Sequence, residues 1–182
     1  LLPVLIRTRH LPIATVLSTP PSREPGPNLR PVLSAARLWE PGRALSDVPE
    51  EALDRNELPM ELKYLPIIES ALNPEARSRA GAMGLWQFMY GTGREYDLKV
   101  SSYVDERCDP IKATEAACQY LTKLHGIFND WDLALAAYNS GPGNVNKAIR
   151  RSGGQKNYWN IRHYLPRETA GYLPAFYATY YI

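Results

Sequence analysis

Residues Lys63 to Met89 read KYLPIIESALNPEARSRAGAMGLWQFM. The first half has the period of a helix. With Leu62 at 0° and about 100° per residue, Leu65 falls at about −60°, Pro66 at about 40°, Leu72 at about −80° and Asn73 at about 20°. Glu69 falls at about −20°, in the middle of the apolar stripe, whereas Glu61 and Glu75 lie off its centre. A carboxyl on that face loses solvation, which raises its pKa and keeps it protonated near neutrality. Such a group suits a general acid for glycosidic cleavage. The same position also suits a buried glutamate satisfied by a cap or an arginine.

Outward from this stretch the signals stay helical. Upstream, SDVPEEALDRN opens with Ser46 and Asp47 as cap residues, followed by Pro49 and two acids, the charge pattern of a helix start. Downstream, Asp109 and Pro110 mark the N-cap and first position of a helix whose inner face takes Ile111, Cys118, Leu121 and Leu124 and which Gly126 can end. Asp130 caps WDLALAAYNS, with Trp131, Leu135 and Tyr138 in line. GPG turns the chain into NVNKAIRRSGG, which stops on two glycines. LPRETAGYLPAFYATYYI forms a last helix, kinked before Pro174. No run of period two and no internal repeat interrupts this pattern. The fold class is therefore all-α, a bundle of short helices.

Composition separates two regions. The 182 residues suffice for one domain with a real core. Nine of the 16 prolines precede residue 58, together with no Tyr, Phe or Lys. Residues 1–45 read as a proline-rich arm or linker, because STPPSREPGPNLRP cannot form a packed element. Residues 46–182 form the domain. The opening LLPVLIRTRHLPIATVL is interrupted by Arg7, Arg9 and His10 and lacks the order of a signal peptide. The start at Leu1 points to a fragment or a processed form. No apolar run is long enough to span a membrane. A net charge of +2 is too small to argue for nucleic acid as a partner. Cys108 and Cys118 read as two small apolar residues, since ten residues of helix would hold them about 15 Å apart. No metal-ligand cluster or phosphate-binding loop appears, so neither metal nor cofactor is expected.

Three further features accompany Glu69. In GAMGLWQFM, Gly81 and Gly84 allow close backbone approach and Gln87 offers both donor and acceptor, so the segment reads as a groove wall or as a turn with a core Trp. Tyr138 and Asn139 end a helix before a glycine turn, as a sugar-stacking pair or as a core Tyr with a helix cap. Glu168 and Tyr172 lie one helical turn apart.

Together the motifs LPIIESALNPEARSRAGAMGLWQFM, DERCDPIKATEAACQYL, LALAAYNSGPGNVNKAI and LPRETAGYLP resemble the SLT-type catalytic domain of the lytic murein transglycosylases, within the lysozyme superfamily and nearest the membrane-bound D type. The resemblance covers about residues 48–182 and no part of residues 1–45. It implies a lysozyme-like fold with Glu69 as the single catalytic acid and base. Ser70 matches a neighbour that orients Glu69 or the substrate. Gln87, Phe88 and Met89 match the wall beside the cleaved bond, Tyr138 and Asn139 the pair flanking the glutamate, and Glu168 and Tyr172 the far side of the groove. Tyr90 stands where the family often has proline. The implied substrate is the glycan strand of peptidoglycan. The implied reaction cleaves the MurNAc-β-1,4-GlcNAc bond without water and closes a 1,6-anhydro ring. The implied place is the periplasm or outer membrane of a Gram-negative bacterium, with membrane association left to parts outside this chain. Two rivals are a hydrolytic muramidase on the same fold and a non-catalytic peptidoglycan-binding domain.

Overall fold

Aspartates 109 and 130 act as the caps their positions demand. In the computed structural model, which describes residues 44–179, the Asp109 carboxylate accepts hydrogen bonds from the Ile111 and Lys112 amides at 3.0 Å each. Asp130 accepts from the Leu133 amide at 2.9 Å. Among the described residues eight α-helices follow one another: α1 (Ala44–Arg55), α2 (Leu65–Ser70), α3 (Tyr90–Glu95), α4 (Pro110–Phe128), α5 (Trp131–Ser140), α6 (Pro142–Arg151), α7 (Tyr158–Ile161) and α8 (Arg167–Ala178). Among the described residues there is no strand, only three isolated antiparallel bridges. The fold is all-α, as the periodicity predicts.

Helix α5 forms the centre. Leu133 to Ala137 are all buried, so the middle of this helix is apolar all round, and α4, α6 and α8 pack against it. Its run of alanines lets neighbouring helices approach closely. Trp86 adds the largest core side chain, and its indole N–H donates to Thr114 Oγ1 on α4 at 2.8 Å.

Four local expectations change. The stretch from Met60 to Asn73 is not one helix. A 3-10 turn (Met60–Tyr64) precedes α2, because Pro66 has no N–H to bond back four residues and is tolerated only in a first turn. Helix α1 begins at Ala44, so Ser46 and Asp47 lie inside it rather than capping it. Helix α4 runs through Gly126 to Phe128 and stops where Asn129 turns left-handed (φ 49°). Ile111 is 64 % exposed, and the inner face of α4 takes Ala113, Thr114 and Ala117 beside Cys118, Leu121 and Leu124. The arm assigned to residues 1–45 lies, but for Ala44 and Leu45, outside the described residues.

Helix α8 passes through Pro174. A proline there leaves the Ala170 carbonyl, four residues earlier, without its usual partner. Arg162 Nε donates to that carbonyl at 2.7 Å, and the Tyr158 hydroxyl lies 2.9 Å from it. The segment around α7 is thereby fastened to α8.

Candidate active site

Helix α2 carries Glu69 and ends abruptly after Ser70. Ala71 and Leu72 both turn left-handed (φ 53° and 61°), which is uncommon for side chains with a Cβ. The amides of Ala71 and Leu72 bond back to Ile67 and Pro66 at 3.0 and 3.2 Å, satisfying the last carbonyls. The chain thus leaves the helix one residue beyond Glu69, and that side chain stands at the helix end, half-buried.

The loop that follows packs against this end. Met83 and Phe88 exchange main-chain hydrogen bonds at 3.0 Å, and the Gly84 amide donates to Ala76 O at 2.9 Å. Ser70 Oγ lies 2.9 Å from Leu85 O and 3.0 Å from Pro66 O, so its proton ties α2 to the loop. Gln87 adopts φ 50°, and its amide Nε2 donates to Gly84 O and Ala76 O at 2.8 and 3.1 Å. Its orientation is therefore fixed. Phe88 is buried and supports the wall from beneath, packed with Tyr96, Tyr120 and Tyr138, whereas Met89 is 46 % exposed.

Arg107 is the residue that sequence reasoning missed. Its guanidinium donates to Gly81 O and Phe88 O at 3.1 Å each, and Asp105 accepts from it at 2.6 and 2.9 Å. One nearly buried cation thus clamps both arms of the loop. In the sequence Arg107 stands within the motif DERCDPIKATEAACQYL, where nothing local marks it as a clamp on a loop some twenty residues earlier.

Two tyrosines enclose the carboxyl. The Tyr172 hydroxyl, from α8, donates to Glu69 Oε1. The Tyr138 hydroxyl, at the end of α5, donates to Trp86 O at 2.8 Å, and the charge of Glu69 acts on that hydroxyl. Burial holds both phenols well above their ordinary pKa, so both stay protonated. Asn139 Oδ1 accepts from Thr169 Oγ1 at 2.8 Å, leaving its Nδ2 protons without an acceptor among the described residues. Glu168 is exposed, yet close enough for its charge to act on Glu69.

Desolvation is the largest influence on Glu69 and pushes its pKa from 4.5 up to about 7, with the Tyr172 hydrogen bond opposing and Glu168 assisting. Tyr172 occupies Oε1 as an acceptor, so the acid proton resides on Oε2. Two consequences are measurable. Tyr172→Phe removes a bond that favours the ionised form, so the alkaline limb of the pH–activity profile moves up. Glu168→Gln removes a like charge and moves that limb down, by less because Glu168 is exposed. A shift from 4.5 to about 7 also means that the fold loses stability as pH rises across that window, by roughly 3 kcal/mol once complete. Glu69→Gln should therefore match wild type in chemical denaturation at pH 4 and exceed it by about that amount above pH 8.

The domain is thus all-α, with a short helix that carries one desolvated carboxyl a residue from its end, walled by a clamped loop and two tyrosines. Residues 48–161 match the Transglycosylase SLT domain family, and the chain belongs to it. It is 44 % identical over 124 residues to the membrane-bound lytic murein transglycosylase D of Escherichia coli K12, a match covering 66 % of this chain and 27 % of that protein. The chain thus spans about a quarter of the length of such relatives. Among solved structures it is similar to an inactive mutant of the lytic transglycosylase Slt of Pseudomonas aeruginosa (TM-score 0.63, 25 % identity, 76 % of this chain and 23 % of that one). It is also similar to the 70-kDa soluble lytic transglycosylase in complex with bulgecin A (TM-score 0.64, 27 % identity, 76 % and 24 %).

Proposed function

We propose that this chain is the catalytic domain of a peptidoglycan lytic transglycosylase that cleaves the MurNAc-β-1,4-GlcNAc bond and leaves a 1,6-anhydroMurNAc end. The observation that carries the reading is the solitary state of Glu69. It is desolvated, its pKa is raised to about 7, and Tyr172 holds it. The acid acting on it electrostatically, Glu168, is solvent-exposed in the first turn of α8. A glycosidase with two working carboxylates holds both at the scissile bond.

With one carboxyl, the substrate supplies the second group. Glu69 gives its proton to the glycosidic oxygen as the bond from C1 to that oxygen breaks. The 2-acetamido carbonyl oxygen of the muramic acid closes on C1. The sugar's own 6-hydroxyl then attacks C1, the acetamido oxygen departs, and the hydroxyl proton goes to the Glu69 carboxylate. The acid is restored and no water is consumed. A pKa near 7 suits a group that must give and then take one proton. Asn139 Nδ2 offers a donor to the acetamido or hydroxyl groups, and Gln87 and Met89 form the wall beside them. Ser70 and Phe88 act as supports, and Glu168 faces the far side of the groove.

The relatives carry both membrane-bound and soluble names. Among the described residues no helix is long and apolar enough to cross a membrane. The periplasm or outer membrane of a Gram-negative bacterium is the place that goes with this substrate, and residues 1–45 act as an arm outside the catalytic unit. Turnover of dye-labelled sacculi separates an enzyme from a binding domain. Release of soluble fragments with anhydro ends supports the reading; binding without release contradicts it.

A further inference from the structure

A second concave site lies on the segment that follows α6. Ser152, Gln155, Trp159, Asn160, His163 and Tyr164 line an open pocket of about 400 Å³. Its rim is braced. Asn160 Nδ2 donates to Gln155 Oε1 at 2.6 Å, and Trp159 packs edge-on against Tyr158 at 5.1 Å. The Tyr158 and Arg162 bonds to Ala170 O fasten this segment to α8, the helix that presents Tyr172 to Glu69. The indole, phenol and amide groups suit a ligand with aliphatic surface and amide bonds.

Charge narrows the choice. From Leu133 to Arg167 the chain has no Asp or Glu, and it has Lys147, Arg150, Arg151, Lys156, Arg162 and Arg167, although the whole chain nets only +2. Cations that look scattered over the full sequence are concentrated here. All but Arg162 are exposed, and none of those five enters an ion pair among the described residues. Arg151 and Lys156 flank pocket residues directly in sequence, and His163 lines the pocket itself. A neutral N-acetyl sugar would leave these cations unused. A polyanion such as nucleic acid would use them along a groove, not around a pocket of this size.

We propose that this pocket binds the carboxylate-bearing stem peptide of peptidoglycan, separately from the glycan groove at Glu69. The proposal rests on the transglycosylase reading. Acidic stem peptides are the part of that polymer with both amide bonds and free carboxylates, so they match the pocket and its cations together.

The test uses this chain as Glu69→Gln, with the synthetic tripeptide L-alanyl-γ-D-glutamyl-diaminopimelate as probe and chitotetraose as neutral control. The tripeptide should bind, shift the Trp159 indole resonance, and weaken with rising salt. Arg151→Gln combined with Lys156→Gln, and separately Tyr164→Ala, should each weaken it about fivefold or more while chitotetraose affinity stays unchanged. These side chains are exposed, so folding is not at stake. Failure of the tripeptide to bind, equal binding by the variants, or equal displacement by a DNA duplex at matched charge would overturn the proposal. If wild type still forms anhydro ends in that case, only the pocket assignment falls. If the tripeptide binds as described but wild type cleaves nothing, the pocket stands and the transglycosylase reading falls.

Discussion

Glu69→Gln is expected to lower turnover of labelled sacculi by about a thousandfold or more, the range that loss of a general acid produces. The substitution keeps the shape and the Tyr172 contact but removes the transferable proton, and it removes the base that must later accept one. Glycan affinity should stay within about threefold of wild type, because the groove wall and Asn139 are untouched and the loss falls on the transition state. The folded state should not suffer, since burial opposes ionised Glu69. Assays of turnover and of strand binding on one preparation separate these effects. A variant that retained most of its activity would remove Glu69 from the role assigned to it.

Gly84→Ala should be the most damaging small change to the fold around the site. A Cβ at Gly84 would stand 1.8 Å from Arg107 O and 2.7 Å from the Arg107 carbonyl carbon, both main-chain atoms, and φ there is +83°. Backbone cannot yield as a flexible side chain does. A cost of about 3 kcal/mol or more is expected in urea denaturation, combining left-handed strain with overpacking. Gly81→Ala is the control. Its φ is +88°, but nothing lies within 4 Å of the added carbon, so only strain of about 1–2 kcal/mol should appear. Equal costs at both positions would show that the contact with Arg107 is not what fixes the loop.

The contrast between these glycines shows what was legible in the residues alone. Both read as positions of close backbone approach, but which one meets another chain segment depends on Arg107, more than twenty residues away. The caps at Asp109 and Asp130 were legible because the cap, the proline and the first turn are contiguous. Glu69 was legible because a carboxyl on an apolar face stands out within one helix. The stop after Ser70 was not, since Ala71 and Leu72 carry no sign of left-handed backbone; loop packing and the Ser70–Leu85 bond impose it. The Tyr172–Glu69 bond joins residues 103 apart and could enter only through resemblance. Ile111 was placed on the inner face of α4 by periodicity, but in the first turn that face is taken by Ala113 and Ile111 is left in solvent.

Digestion of peptidoglycan in water enriched in oxygen-18, followed by mass spectrometry of the released chain ends, tests the central claim most directly. If Glu69 returns its proton by way of the sugar's own 6-hydroxyl, the muramic ends will be 1,6-anhydro and free of label. Reducing muramic ends that carry one heavy oxygen would mean that water takes that place, and would contradict the account.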